Sequence, residues 1–204
     1  MQFTRPDMRE ITISDKSEAC DFIKDSCKEC NRKYECTGEN AAFCNHMKNI
    51  LVAKYGAAEG CLKESRIRHS IGVANFLFAY AKSHDWSKEE TEDLYLTDLL
   101  HDIGYIDNPK GTDHGRLGAE ILKRNGLNAE ICELISCHGR FIENPSRKQA
   151  LLWLADLCVN RDGDYIGYQK RYESIKERYK NDPERLFQVY RILEYLQIHF
   201  SEYR

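Results

Sequence analysis

A chain of 204 residues with a formal charge of −3 offers neither the basic surface of a nucleic-acid binder nor a polybasic membrane patch. No apolar stretch approaches the roughly 20 residues needed to cross a bilayer. The polar first ten residues do not read as a signal peptide, so the expected compartment is the cytoplasm, and the length suits one main domain with an appendage.

Residues 1–46 form a small cysteine-rich appendage, with a short strand expected near residues 11–13. Five of the nine cysteines, Cys20, Cys27, Cys30, Cys36 and Cys44, fall within twenty-five residues, and His46 follows. In a reducing compartment such a cluster is more often metal-binding than disulfide-bonded. Cys27 and Cys30 make the close pair, and Cys36 and Cys44 are the completing candidates. Their spacing matches neither a standard zinc finger nor a ferredoxin run. A structural zinc, an iron–sulfur cluster and a set of reduced thiols all stay open.

Helical periodicity then takes over, with helices expected at about 47–56, 62–83, 88–102, 114–124, 128–138 and 147–160. The main domain is placed at 47–165. His69 opens a stripe continued by Gly72, Val73, Phe76, Leu77 and Tyr80. Leu94, Thr97 and Asp98 lead by steps of three or four to the pair His101-Asp102. Asp98 and Asp107 read first as solvated helix-end acids, with a proton-handling role behind the site as the sharper alternative. A turn-rich loop at 108–111 rims the site before His114. Ile131, Leu134 and Ile135 place His138 on a buried helix face. Asp156 interrupts the apolar run from Ala150 to Ala155, where an unpaired carboxylate is costly. Cys61, Cys132, Cys137 and Cys158 fit small core positions. In the C-terminal extension, 166–204, Leu186, Val189, Leu193 and Leu196 recur at helical spacing and pack on the domain, a homodimer contact being the alternative.

Taken singly, each of these residues has an ordinary reading: a hydrogen-bonded core histidine or a salt-bridged aspartate. Together, His69, His101, Asp102, His114, His138 and Asp156 form an ordered set, and several of them at inward positions on separate helices need one explanation. A divalent metal supplies it, because the cation offsets carboxylate desolvation and takes imidazole in its neutral form.

The ordered pattern, with the run His101-Asp102-Ile103-Gly104, resembles the HD superfamily of metal-dependent phosphohydrolases in its HDIG subset, over about half of the chain. The stretches His69-Ser70-Ile71-Gly72, His114-Gly115-Arg116-Leu117-Gly118 and Leu154-Ala155-Asp156-Leu157 resemble the corresponding family segments. The resemblance implies an all-α helical bundle with a central metal site. It implies that His69, His101, Asp102 and Asp156 hold one metal, that His114 and His138 serve a second, and that Asp102 bridges them and is central to catalysis. Two departures stand out: Tyr105 occupies the position where many HDIG proteins carry lysine, and the tripeptide that marks cyclic-di-GMP phosphodiesterases is absent.

Two metals about 3.5–4 Å apart activate a water and polarise phosphoryl oxygens. Mixed imidazole and carboxylate donors suit Fe, Mn, Co or Zn better than Mg. Arg66, one turn before His69, and Arg116, beside His114, are the candidates to hold an anionic substrate. The leading expectation is a phosphohydrolase acting on a nucleotide, with a leaning to dinucleoside polyphosphates, or on another small phosphorylated metabolite. A di-iron oxygenase built on the same ligands and a non-catalytic metal or redox sensor are the alternatives.

Overall fold

The computed structural model describes residues 64–106, 113–124 and 127–204. The expectations for the cysteine-rich segment, including Cys27, Cys30, Cys36 and Cys44, for the helix at 47–56 and for the loop at 108–111 lie outside the described residues. Among the described residues the chain forms α1 (Glu64–Ser83), α2 (Lys88–Leu100), α3 (His114–Arg124), α4 (Ala129–Cys137), α5 (Arg147–Cys158), α6 (Tyr168–Arg178) and α7 (Pro183–His199). Short 3-10 turns follow α2 at Ile103–Ile106 and α7 at Ser201–Tyr203. The single β feature among them is an isolated antiparallel bridge between Val159 and Tyr165. The fold class is therefore the all-α bundle that the periodicities and the resemblance imply.

Local sequence fixes where several helices begin. Ser87 and Glu90 form a reciprocal capping box at the start of α2. Asn128 caps α4, Ser146 caps α5, and Asp182 caps α7 with Pro183 in the first turn. Each cap satisfies a backbone N–H that the helix itself leaves without a partner.

The bundle is organised around α5. From Gln149 to Cys158 every residue except Asp156 is buried, and α1, α2, α4, α6 and α7 all pack against this helix. A helix that is apolar on all sides belongs in the middle of a core. Phe76, Leu77, Leu151, Trp153 and Leu154 form the heart of that core. Truncating Leu154 to alanine costs about 2–5 kcal/mol by cavity formation. At the C-terminus, Tyr203 is buried and sets its ring edge-on to Phe76 with centroids 5.6 Å apart. Among the described residues no helix is long and apolar enough to cross a membrane.

One helix boundary differs from expectation in a way that matters. α2 stops at Leu100, so His101 caps the helix and Asp102 lies in the turn beyond it. The Tyr105 N–H then donates to the Asp102 carbonyl at 3.1 Å, which closes the 3-10 turn. That bend packs Gly104 against the start of α3 and lets Asp102 face both α1 and α3.

Candidate metal centre

Six side chains from five parts of the fold converge beside α5. His69 comes from α1, His101 and Asp102 from the end of α2, His114 from the start of α3, His138 from the end of α4, and Asp156 from α5 itself. His69, His101, Asp102 and His138 are almost fully buried.

The imidazoles are held by main-chain carbonyls. Nδ1 of His69 donates to the Asn160 carbonyl at 3.0 Å, Nδ1 of His101 to the Asp98 carbonyl at 2.6 Å, and Nδ1 of His138 to the Ile135 carbonyl at 2.7 Å. A carbonyl oxygen only accepts, so each Nδ1 carries the proton and each Nε2 faces the cluster. Nε2 of His101 is buried with no hydrogen-bond partner. Nε2 of His69 lies 2.9 Å from Asp156 Oδ1, and Nε2 of His138 lies 2.9 Å from Nε2 of His114.

Asp102 faces both halves of the cluster. Its Oδ2 lies 2.8 Å from Arg66 Nη1 and 3.7 Å from His101 Nε2. Its Oδ1 lies 3.4 Å from His114 Nε2 and 3.8 Å from His138 Nε2. Three overlapping sets have their donor atoms within 4.8 Å of one another: His69, His101 and Asp102; His101, His138 and Asp156; and Asp102, His114 and His138. Each could hold a metal ion.

Charge follows burial and neighbours. Burial opposes ionisation of Asp102, but His101, Arg66, His114 and His69 outweigh it and hold the carboxyl well below the usual range. Burial likewise works against Asp156, which His69, His101 and Arg171 nevertheless hold low. Burial pushes the histidines the other way: His69 is lowered, His138 is lowered further by His101, and His114 falls to about 3 with help from His138. His69 is thus neutral while Asp156 is ionised, which leaves two acceptor atoms 2.9 Å apart. A cation resolves that conflict, and the orphaned His101 Nε2 asks for the same partner. The residues present fit a metal.

Asp98 is fully buried rather than solvated, and neither carboxyl oxygen has a hydrogen-bond partner. Burial and the Asp156 charge raise it well above the usual range, so it is a neutral acid. The stability of the metal-free chain should reflect these shifts. Below about pH 6.5 the unfolded chain binds up to three imidazole protons, at His69, His114 and His138, that the folded chain refuses. Folded Asp98 retains one proton that the unfolded chain has lost above about pH 4. Three lowered imidazoles outnumber the one raised acid, so stability rises as the pH approaches about 6.5 from below. In chelator, the urea midpoint should be lower at pH 5 than at pH 7; an equal or higher midpoint at pH 5 contradicts the assignment.

The residues expected to hold substrate have particular surroundings. The Arg66 guanidinium lies 3.9 Å over the Tyr105 ring as well as pairing with Asp102. Tyr105 in turn stacks on His114 with centroids 4.1 Å apart, so it packs between a cation and a proposed ligand. Arg116 is half-exposed and paired with Asp113 at 2.6 Å and with Glu120. Both arginines line the pocket that opens over the cluster. The far wall of this pocket is a feature that sequence reading missed: Arg171, Ile175 and Arg178 from α6, Tyr179 just after it, and Arg185 and Val189 from α7. The seven-residue spacing of Arg171, Arg178 and Arg185 is the one sequence signal that could have found it.

An all-helical bundle with a buried His and Asp cluster under an arginine-lined pocket defines the class. The HD domain family matches residues 66–186, and the chain belongs to that family. Its members are generally metal-dependent phosphohydrolases. Comparison with curated proteins and with solved structures gave no match.

Proposed function

We propose that the protein is a metal-dependent phosphohydrolase that cleaves a phosphoester or phosphoanhydride of a nucleotide, with dinucleoside polyphosphates favoured, or of another small phosphorylated metabolite. The observation that carries this reading is the set of Nε2 atoms, oriented by backbone carbonyls, that face two ionised aspartates inside an HD bundle. In this reading His69, His101, Asp102 and Asp156 hold one ion, and His114 and His138 share Asp102 with a second. Fe, Mn, Co or Zn suits these donors. When bound, the metal supplies Lewis acidity that lowers the pKa of a water and polarises the phosphoryl oxygens.

The chain's own residues do the rest. Asp102 spans the two donor sets through its separate oxygens. Tyr105 and Asp102 fix Arg66 at the pocket wall, where its remaining N–H groups can meet a phosphoryl oxygen. Arg116, restrained by Asp113 and Glu120, is the second candidate on the α3 side. Asp98 is set three residues before His101, and its backbone carbonyl holds the His101 ring.

The test is chromatographic product analysis with mono-, di- and triphosphonucleotides, dinucleoside polyphosphates, cyclic nucleotides and sugar phosphates. Protein is purified without oxygen, stripped, and reloaded with Mn, Fe, Co or Zn in turn. Metal-dependent cleavage of one substrate group is the expected result. Oxygen consumption without cleavage of any phosphate bond, by folded and metal-loaded protein, would overturn the reading in favour of a di-iron oxygenase.

A further inference from the structure

Among the described residues, the pocket over the cluster is lined by six arginines, Arg66, Arg116, Arg140, Arg171, Arg178 and Arg185, and by three aspartates. Asp102 and Asp156 belong to the cluster, and Asp113 is taken by Arg116 and Arg140. Among the described lining residues, the α6–α7 wall brings the charge of Arg171 and Arg178 into the pocket and contributes no carboxylate. Arg171 is buried to 4 % exposure, and its Nε has no hydrogen-bond partner. Asp156 attracts it electrostatically, yet Asp156 Oδ1 is engaged by His69. A buried guanidinium with an unmet donor at a pocket wall is a costly arrangement that an anion would relieve.

The neighbours of Arg171 extend the same character outward. Arg178 meets the Ser174 hydroxyl at 3.5 Å and the Tyr179 ring at 5.6 Å, and neither partner is an acid. Arg185, from α7, lies 4.2 Å over the same Tyr179 ring. Burial would raise the Tyr179 phenol, but Arg185, Arg178 and Arg66 together hold it below the usual range. Arg161 feels the same excess: partial desolvation lowers its guanidinium, and Arg178 and Arg66 lower it further. Arg171 and Arg178 are seven residues apart on one helix, so they stand about 10 Å apart along its axis. That span exceeds a single phosphate group and suits a chain of them.

We infer that Arg171, Arg178, Arg185 and Tyr179 form a second anion subsite that binds the phosphates beyond the one under attack, so that the enzyme selects phosphoanhydride chains over monophosphates. The inference rests on the phosphohydrolase reading for its place in a reaction, though the subsite itself is a binding property. Tyr179 keeps the Arg178 and Arg185 guanidiniums in place by stacking and offers its own hydroxyl to a phosphate oxygen.

Inorganic tripolyphosphate and orthophosphate are the probes, titrated calorimetrically into the stripped full chain at 0.15 M ionic strength, about physiological. Tripolyphosphate should bind at least about tenfold more tightly than orthophosphate. Arg178→Gln and Arg185→Gln should each remove about tenfold of that advantage by weakening tripolyphosphate more than orthophosphate, while Arg178→Lys retains part of it. In metal-loaded protein the same two variants should raise KM more for substrates with two or more linked phosphates than for monoesters. Equal affinity for the two anions, or unchanged tripolyphosphate binding in both folded Gln variants, overturns the subsite even if hydrolysis is robust. Discrimination that the variants abolish, in a protein that hydrolyses nothing, upholds the subsite and overturns the phosphohydrolase reading instead.

Discussion

Replacing Asp102 with alanine should lower kcat/KM for the preferred phosphorylated substrate by about 10³-fold or more, with metal content per chain falling in parallel. Removal of metal from the site withdraws several kcal/mol of transition-state charge stabilisation, and each tenfold in rate is about 1.4 kcal/mol. Among the six clustered residues Asp102 should be the most sensitive, because its two oxygens face different donor sets and Arg66 pairs with one of them. His114→Ala removes a donor from one set and should leave more metal bound than Asp102→Ala does. Metal analysis after exhaustive dialysis, beside steady-state kinetics, checks both statements. Full metal content in Asp102→Ala would rule out its bridging position.

The second large effect concerns a residue with no side chain. Gly104→Ala should destabilise the chain by about 3 kcal/mol or more and reduce metal content as well. A Cβ at this position would fall 1.8 Å from the His114 carbonyl oxygen and 2.5 Å from the Gly118 nitrogen. Both are main-chain atoms of α3, so a rotamer change cannot relieve the clash and the helix must move away. His114 moves with it, loses its stacking on Tyr105, and leaves the set it shares with Asp102 and His138. Gly139→Ala is the matched control, since a Cβ there meets nothing within 4 Å. Urea midpoints and metal content of the two variants should diverge; equal stability would show that the contact between the 3-10 turn and α3 is not tight.

How much of this was legible beforehand can be argued residue by residue. α1, α3, α4 and α5 were visible because each carries an apolar stripe or run long enough to impose a period, and four of the six proposed ligands, His69, His114, His138 and Asp156, lie on or at the end of those helices. The end of α2 was misjudged by two residues because His101 and Asp102 continue the helical spacing; only packing of Gly104 on α3 requires the turn. α6 was not anticipated as an element of its own. Its sequence YQKRYESIKER buries just Tyr168, Arg171 and Ile175, too sparse a stripe to stand out from solvated charge. The arginine wall left only the faint signal of its seven-residue spacing, since its members come from two helices and become neighbours through the α6–α7 packing. Tyr105 read as a gap in a motif, whereas stacking between Arg66 and His114 gives it a positive task. Asp98 read as solvated because nothing in the sequence reveals which helix end is covered.

The carbonyl acceptors behind the histidines have a consequence for mutational tolerance. An orienting aspartate or glutamate could be erased by one substitution, but the acceptors behind His69, His101 and His138 belong to the polypeptide backbone. Ile135 can therefore change to another apolar residue without disturbing the ring of His138, provided α4 keeps its course. Robustness to side-chain drift is gained at those positions, and vulnerability is moved to anything that bends a helix end. A library screened for metal retention should accordingly accept Leu, Val or Met at 135 and reject proline.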